Sequence, residues 1–274
     1  VVVAPGVRRV TCRNPGPMTF HGTGTFIVGE RRVAVIDPGP ANTEHLVALL
    51  AALAGETVTH IVVTHTHRDH SPLARRLAAA TGAPIVGCAP HATPSVDGGE
   101  GADFDHAPDR IMVEGEVVSG PAWTLAAIAT PGHTANHLCF AFSEQDVLFS
   151  GDTVMAWSTT VVSPPDGSMA AYCASLARLA RRGERRFLPA HGPPVEEPQA
   201  WCAALLRHRH AREAQILSAL QDRAETIPAL VALLYPDIPE AVRRAAGRSV
   251  LAHLEKLAEE GRVAEGEGGW RTLR

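Results

Sequence analysis

TVTHIVVTHTHRDH, residues 57–70, decides the fold. Residues 57–64 are β-branched and apolar almost throughout, the composition of a strand buried on both faces of a sheet. Directly after it come four side chains able to hold a metal: His65, His67, Asp69 and His70. Alternate residues of an extended segment project to the same side, so His65 and His67 can reach one ion. The turn that follows can bring Asp69 and His70 to a second. Imidazole and carboxylate suit borderline divalent metals, and the absence of cysteine from the set points to a hydrolytic site rather than a structural one. A lone histidine is more often a satisfied core or surface residue; four such groups at one strand end are not explained that way.

On the N-terminal side, residues 25–36 read as two short strands around a turn at Gly29, ending in Asp-Pro-Gly at 37–39, with a helix over 42–54. On the C-terminal side, residues 71–80 read as a helix with Pro72 in its first turn and Gly82 beyond its end. Strands follow at 123–130, 138–142 and 146–149. An amphipathic helix over 169–181 leads to a short strand at 187–190 that ends on His191. This alternation is that of an α/β chain. From about Pro198 the pattern changes to helices over 197–224, 227–234, 239–246 and 249–260, then a hairpin over 261–273, the order of a winged helix. Two domains are expected, a catalytic one over 1–200 and a winged-helix-like one over 201–274.

The 274 residues are 45% hydrophobic and 20% charged, an ordinary globular composition. The formal charge of −4 gives no whole-molecule attraction to nucleic acid or to an anionic membrane. Five scattered cysteines without a CxxC read as buried free thiols in a reducing compartment. No stretch approaches the ~18 apolar residues of a membrane span, and no secretory signal is visible, so a cytoplasmic location without membrane attachment is expected.

The remaining metal-capable motifs occur in order along the chain. TPGHT (130–134) supplies His133, SGDT (150–153) supplies Asp152 and PAHGP (189–193) supplies His191. With HxHxDH, this set resembles the metallo-β-lactamase superfamily. The resemblance implies a four-layer αββα sandwich with the ligands on loops at one edge of its two sheets. One metal would be held by His65, His67 and His133, the other by Asp69, His70 and His191, with Asp152 bridging. Two divalent ions are implied, zinc first, with iron or manganese as alternatives. A hydroxide between them would be the nucleophile, with Asp69 as the catalytic group that orients it and shuttles a proton. Asp37, in VIDPG, matches a position expected to support the site, although a turn-forming aspartate explains it as well.

Zinc β-lactamases generally carry Cys or Ser where this chain has Asp152, which moves it toward glyoxalase-II-like thioesterases and phosphoesterases. NPGPMTF (14–20), TPGHTANHL (130–138), SGDTVMAWSTTVVSPPDGSM (150–169) and HRHAREAQIL (208–217) resemble the beta-lactamase-like-protein-2 group, in which a winged-helix-like region follows the sandwich. Gly24, where Asn is expected, and Ala190, where Gly is expected, depart from the pattern. The group includes an animal member associated with endoribonuclease activity and fungal thioesterases that release polyketides from carrier protein. The resemblance therefore implies a dinuclear metallohydrolase of an ester or thioester, small or carrier-bound. The alternative is a phosphodiesterase or endoribonuclease acting on RNA. A β-lactamase, or a nucleic-acid-binding protein using the winged helix, ranks below both. Arg207, Arg209 and Arg212 read as a solvated helix face in preference to a nucleic-acid footprint. Trp157 is expected to line the substrate pocket and Trp270 to close the C-terminal core. Structural or surface roles are expected for His91, His106 and His137, and a homodimer only by analogy.

Overall fold

The chain opens with β1 (Val2–Ala4), β2 (Val7–Thr11), β3 (Gly24–Val28) and β4 (Arg32–Ile36), each antiparallel to the one before. After α1 (Thr43–Ala52) the sheet continues in parallel through β5 (Thr57–Val63), β6 (Ile85–Gly87) and β7 (Arg110–Ile111), with α2 (Ala74–Thr81) between the first two. A second sheet is built from β8 (Val117–Gly120), β9 (Trp123–Ala129), β10 (Leu138–Phe142) and β11 (Val147–Gly151). Then α3 (Met169–Leu179) crosses to β12 (Arg186–Pro189), and the spatial order is β12-β11-β10-β9-β8. The C-terminal region comprises α4 (Pro198–Ala219), α5 (Ile227–Leu234) and α6 (Glu240–Glu259), then a hairpin of β13 (Val263–Gly266) and β14 (Gly269–Thr272). This computed structural model describes residues 1–94, 101–221 and 223–273.

Side-chain alternation along β10 and β11 explains the layering. Leu138, Phe140, Phe142, Val147 and Phe149 join the core between the sheets, while Cys139, Ala141 and Leu148 face α3 and α4. In that inter-sheet core Phe26 meets Phe149 with ring centroids 5.1 Å apart. Each such side chain contributes about 1.5–3 kcal/mol by leaving water. Local signals set the helix starts: Asn42 Oδ1 accepts from His45 N before α1, and the Ser168 side chain accepts from Ala171 N before α3. A third core of Ile216, Leu220, Leu230, Val250, Leu254 and Trp270 holds the C-terminal helices and hairpin together. All five cysteines are buried and free. Among the described residues no helix is long and apolar enough to cross a membrane.

Several expectations are corrected. α2 starts at Ala74, not Ser71, because the Leu73 amide bonds Gly39 O and Ser71 Oγ bonds Asp103, so Pro72 lies ahead of the helix. Residues 240–259 form one helix rather than two. Gly247 does not interrupt it, since Ile227 and Val231 of α5 pack beside this point of the helix. β1, β2, β6, β7 and β8 were not anticipated; they are short, and two of them carry arginines. α4 belongs to two cores, its Cys202 and Leu205 packing with α3 and its Ile216 in the C-terminal core. Arg207, Arg209 and Arg212 do not form a solvated face: Arg207 is exposed, Arg209 is buried, and Arg212 lies 4.1 Å from the Tyr235 ring centroid.

Candidate metal centre

The ends of β5, β9, β11 and β12 deliver the candidate ligands to one edge of the sandwich. His65 and His67 leave β5 on alternate positions, as extended backbone requires. Their inner nitrogens converge: His65 Nε2 and His133 Nε2 lie 3.1 and 3.0 Å from His67 Nδ1. Asp69, His70 and His191 make a second group, with His191 Nε2 3.1 Å and His70 Nε2 3.5 Å from Asp69 Oδ2. Asp152 stands between the groups. Its Oδ2 is 3.4 Å from both His70 Nε2 and His191 Nε2 and 3.7 Å from His133 Nε2. All seven residues singled out from the sequence therefore meet in one place.

The outer nitrogens of four of these rings are occupied, which orients the inner ones. His70 Nδ1 donates to Asp37 Oδ2 at 2.9 Å, His133 Nδ1 to Val161 O at 2.7 Å and His191 Nδ1 to Gly22 O at 3.3 Å. Thr64 Oγ1 donates to Asp37 Oδ2 at 2.7 Å and accepts from His65 Nδ1 at 3.0 Å. Asp37 Oδ1 also takes the Thr64 amide at 2.8 Å, so this aspartate, buried and with its oxygens engaged, braces two of the histidines. The plainer expectation for it, a turn former, is also visible in its φ of 49°.

The chemistry of the donor set fits divalent cations. Burial, with the neighbouring imidazoles, holds His65 well below its ordinary value and His67 at about 3, so both are neutral lone-pair donors. Burial also opposes a charge on His191 and His70. Yet the charge of Asp152, with Asp69 in contact, lifts His191 to about 10, and Asp69 and Asp152 lift His70 well above its ordinary value. Against the same burial, His70 and His191 hold Asp69 and Asp152 far below the usual carboxylate range. Two carboxylates thus call for positive charge in a mostly buried space. His70 Nε2, His191 Nε2 and Asp152 Oδ1 are buried there without a hydrogen bond. Cations of the kind that imidazole and carboxylate prefer would satisfy all three, displacing the protons that His70 and His191 otherwise hold.

A cavity of about 420 Å³ opens onto this cluster. His67, Asp69, His133 and Asp152 form its floor, Met18, Met155, Trp157 and Val161 an apolar wall, and Arg68 one rim. Trp157 lines it as expected and stacks on Phe20 at 5.0 Å. His91 bonds Thr66 Oγ1 and His106 packs on Cys88, neither of them at the floor. His137 is structural in a specific way: its Nε2 accepts the Asp152 amide at 3.2 Å, and its ring lies 4.9 Å from that of His65. At Gly24 a Cβ would stand 2.8 Å from Arg9 Cδ, so glycine leaves the room through which Arg9 reaches Gly192 O at 2.7 Å.

Sequence reasoning missed Thr23 and Asn14. Thr23 Oγ1 lies 3.5 Å from Asp69 Oδ2, and Asn14 Nδ2 bonds Thr23 Oγ1 at 3.0 Å. The quoted motif NPGPMTF contains Asn14, but only the pairing of β2 with β3 brings the two segments together.

Comparison with known proteins follows the same lines. The profile of the Metallo-beta-lactamase superfamily matches residues 19–191, and that of the Beta-lactamase associated winged helix domain matches residues 226–270. The Beta-lactamase-like protein 2 homolog of Caenorhabditis elegans is 32% identical over 95% of this chain and 87% of its own length. The Atrochrysone carboxyl ACP thioesterase of Aspergillus fumigatus is 33% identical over 81% of this chain and 67% of its own length. The crystal structure of a metallo-beta-lactamase family protein from Thermus thermophilus is 26% identical, with a TM-score of 0.80 over 100% of both chains.

Proposed function

This chain belongs to the metallo-beta-lactamase superfamily and carries its associated winged-helix domain, and from that premise we propose that it is a dinuclear hydrolase of thioesters or esters. The observation that carries the reading is the position of Asp152 Oδ2, within 3.7 Å of ring nitrogens from both histidine groups at the floor of a cavity with an apolar wall. His65, His67 and His133 would hold one ion and Asp69, His70 and His191 the other, with Asp152 shared.

Two divalent ions held there would lower the pKa of a water molecule to near neutrality and polarise the substrate carbonyl oxygen. The protein supplies the rest. Met18, Met155, Trp157 and Val161 take the apolar acyl part and exclude water around it. Asp69 is the one candidate ligand with an appreciably exposed side chain, 27%, and it faces the cavity as a carboxylate. In this reading it accepts a proton from the attacking water and returns it to the departing thiolate or alkoxide. Water thereby adds to the carbonyl carbon, the C–S or C–O bond breaks, one water proton goes to the leaving thiolate or alkoxide through Asp69 and the other to solvent, and a carboxylate and a thiol or alcohol leave.

The apolar wall favours an acyl substrate over a polynucleotide, since Arg68 is the only arginine among the described residues that line this cavity. Thioesterase is also the named activity of one relative above. A panel of acyl thioesters, simple esters, bis-phosphate esters, structured RNA and a chromogenic β-lactam tests the proposal on the metal-loaded protein. Thioester turnover above all others is expected; faster cleavage of RNA than of every thioester would reverse the assignment.

A further inference from the structure

The loop that leads from Asp152 to α3 touches both halves of the centre, yet it is fastened from outside the sandwich. Val161 O accepts from His133 Nδ1 at 2.7 Å, and Thr160 Oγ1 donates to Asp152 O at 2.7 Å, with Thr153 O 3.1 Å away. Thr160 O in turn accepts from Arg209 Nη2 on α4. Ser163 Oγ accepts from Arg248 Nε on α6 at 3.1 Å. Beneath Arg209, at 5.2 Å from its guanidinium, lies the ring of Tyr172, whose hydroxyl donates to Thr153 O at 3.0 Å. One short segment thus orients a histidine of the first group and the backbone of the aspartate shared by both. Two arginines from the C-terminal helices hold that segment.

Arg209 is an expensive choice if packing were its whole purpose. It is 3% exposed, and burying a guanidinium is unfavourable where no acid neutralises it. Glu213, one turn further along α4, pairs instead with Lys256 at 3.1 Å and lies 3.5 Å from His253. An apolar side chain would fill the same space without that cost. What an apolar residue cannot do is grip a carbonyl of the loop behind His133 and Asp152.

We propose that Arg209 is a positioning residue for the metal centre. Reaching from the C-terminal helices, it fixes Thr160, and through Thr160 and Val161 it sets the Asp152 backbone and the His133 ring. The C-terminal helices, α4 first, are then a clamp on the loop between Asp152 and α3. The inference rests on reading His133 and Asp152 as metal ligands, and its test reads the metal site rather than turnover.

The test uses cobalt(II) in the whole protein, whose visible bands report coordination number and geometry, titrated against a competing chelator. Wild type, R209M, R209K and T160V are compared, and the melting temperature of each metal-free protein is recorded separately. Wild type should fill two sites. R209M should weaken both sites, since Asp152 is shared, and the one that includes His133 most, by about 10- to 100-fold, the loss usual for partners that orient a ligand, with altered bands. R209K, which keeps a donor for Thr160 O, should recover most of both. T160V retains the carbonyl that Arg209 grips and loses the hydroxyl that holds the shared Asp152, so it should weaken both sites, and it carries the test if R209M does not fold. Wild-type bands and chelator resistance in both R209M and T160V, whatever their melting temperatures, would overturn the proposal. No cobalt uptake by wild type would refute the metal reading itself and the inference with it.

Discussion

Asp69 and Asp37 sit on opposite sides of His70 and do different work there. Asp69 faces the cavity, so Asp69→Asn should lower kcat by about 10²- to 10⁴-fold, the range for a lost proton shuttle, and leave the circular dichroism of the fold unchanged. Asp37 is buried, bonding His70 Nδ1 and both polar groups of Thr64. Asp37→Asn should therefore act through the metal, weakening one ion by about 10- to 100-fold in chelator competition, with turnover recovering at saturating metal. At this scale the convergence of the candidate ligands is legible in the sequence, and the groups that brace them are not. His65, His67, Asp69 and His70 lie within six residues, and His133, Asp152 and His191 each follow the end of a strand, so motif order brings them to one edge of the sheets. The contacts of Thr23 with Asp69, Val161 with His133 and Thr160 with Asp152 depend on loop paths that no local spacing encodes.

The strands and helices that carry these residues show the same division. β3, β4 and β5 declare themselves by β-branched runs, and Asn42 and Ser168 mark helix starts by capping chemistry. Short strands with little pattern, such as β7, take their conformation from the neighbour they pair with. The loop after β9 shows how an element sets the site. Gly132 has a φ of 140°, and a Cβ there would lie 2.3 Å from Tyr172 Cα, so α3 packs against bare backbone beside His133. Gly132→Ala should cost on the order of 1–3 kcal/mol through backbone strain alone, read as a lower melting temperature. It should also weaken metal binding, because α3 and the His133 loop can no longer close together. An unchanged melting temperature would contradict this packing.

Across the whole molecule, the seam between α4 and α6 buries Glu213, His253 and Lys256, with Arg209 and Arg212 nearby. Burial, reinforced by the two arginines against the pull of Glu213, lowers His253 from its ordinary 6.5. Burial would raise Glu213, but His253 and Lys256 hold it below its ordinary 4.5. Both shifts have the same sign for stability: the unfolded chain binds protons that the folded one refuses. Their contribution is present above pH 6.5 and is lost as pH falls, first at His253 and then at Glu213. The histidines of the metal centre, once unfolded, titrate in the same window, so the seam is read by difference. Between about pH 7.5 and 5.5 the melting temperature of metal-free His253→Gln should fall less than that of wild type; an identical change in the variant would contradict the assignment.

That the seven side chains at the sandwich edge hold two ions is tested by metal content. Protein prepared without chelator and analysed by elemental mass spectrometry should carry close to two divalent ions per chain, falling to about one in His133→Ala. A wild-type protein that is fully folded and catalytically competent with no bound metal would contradict it.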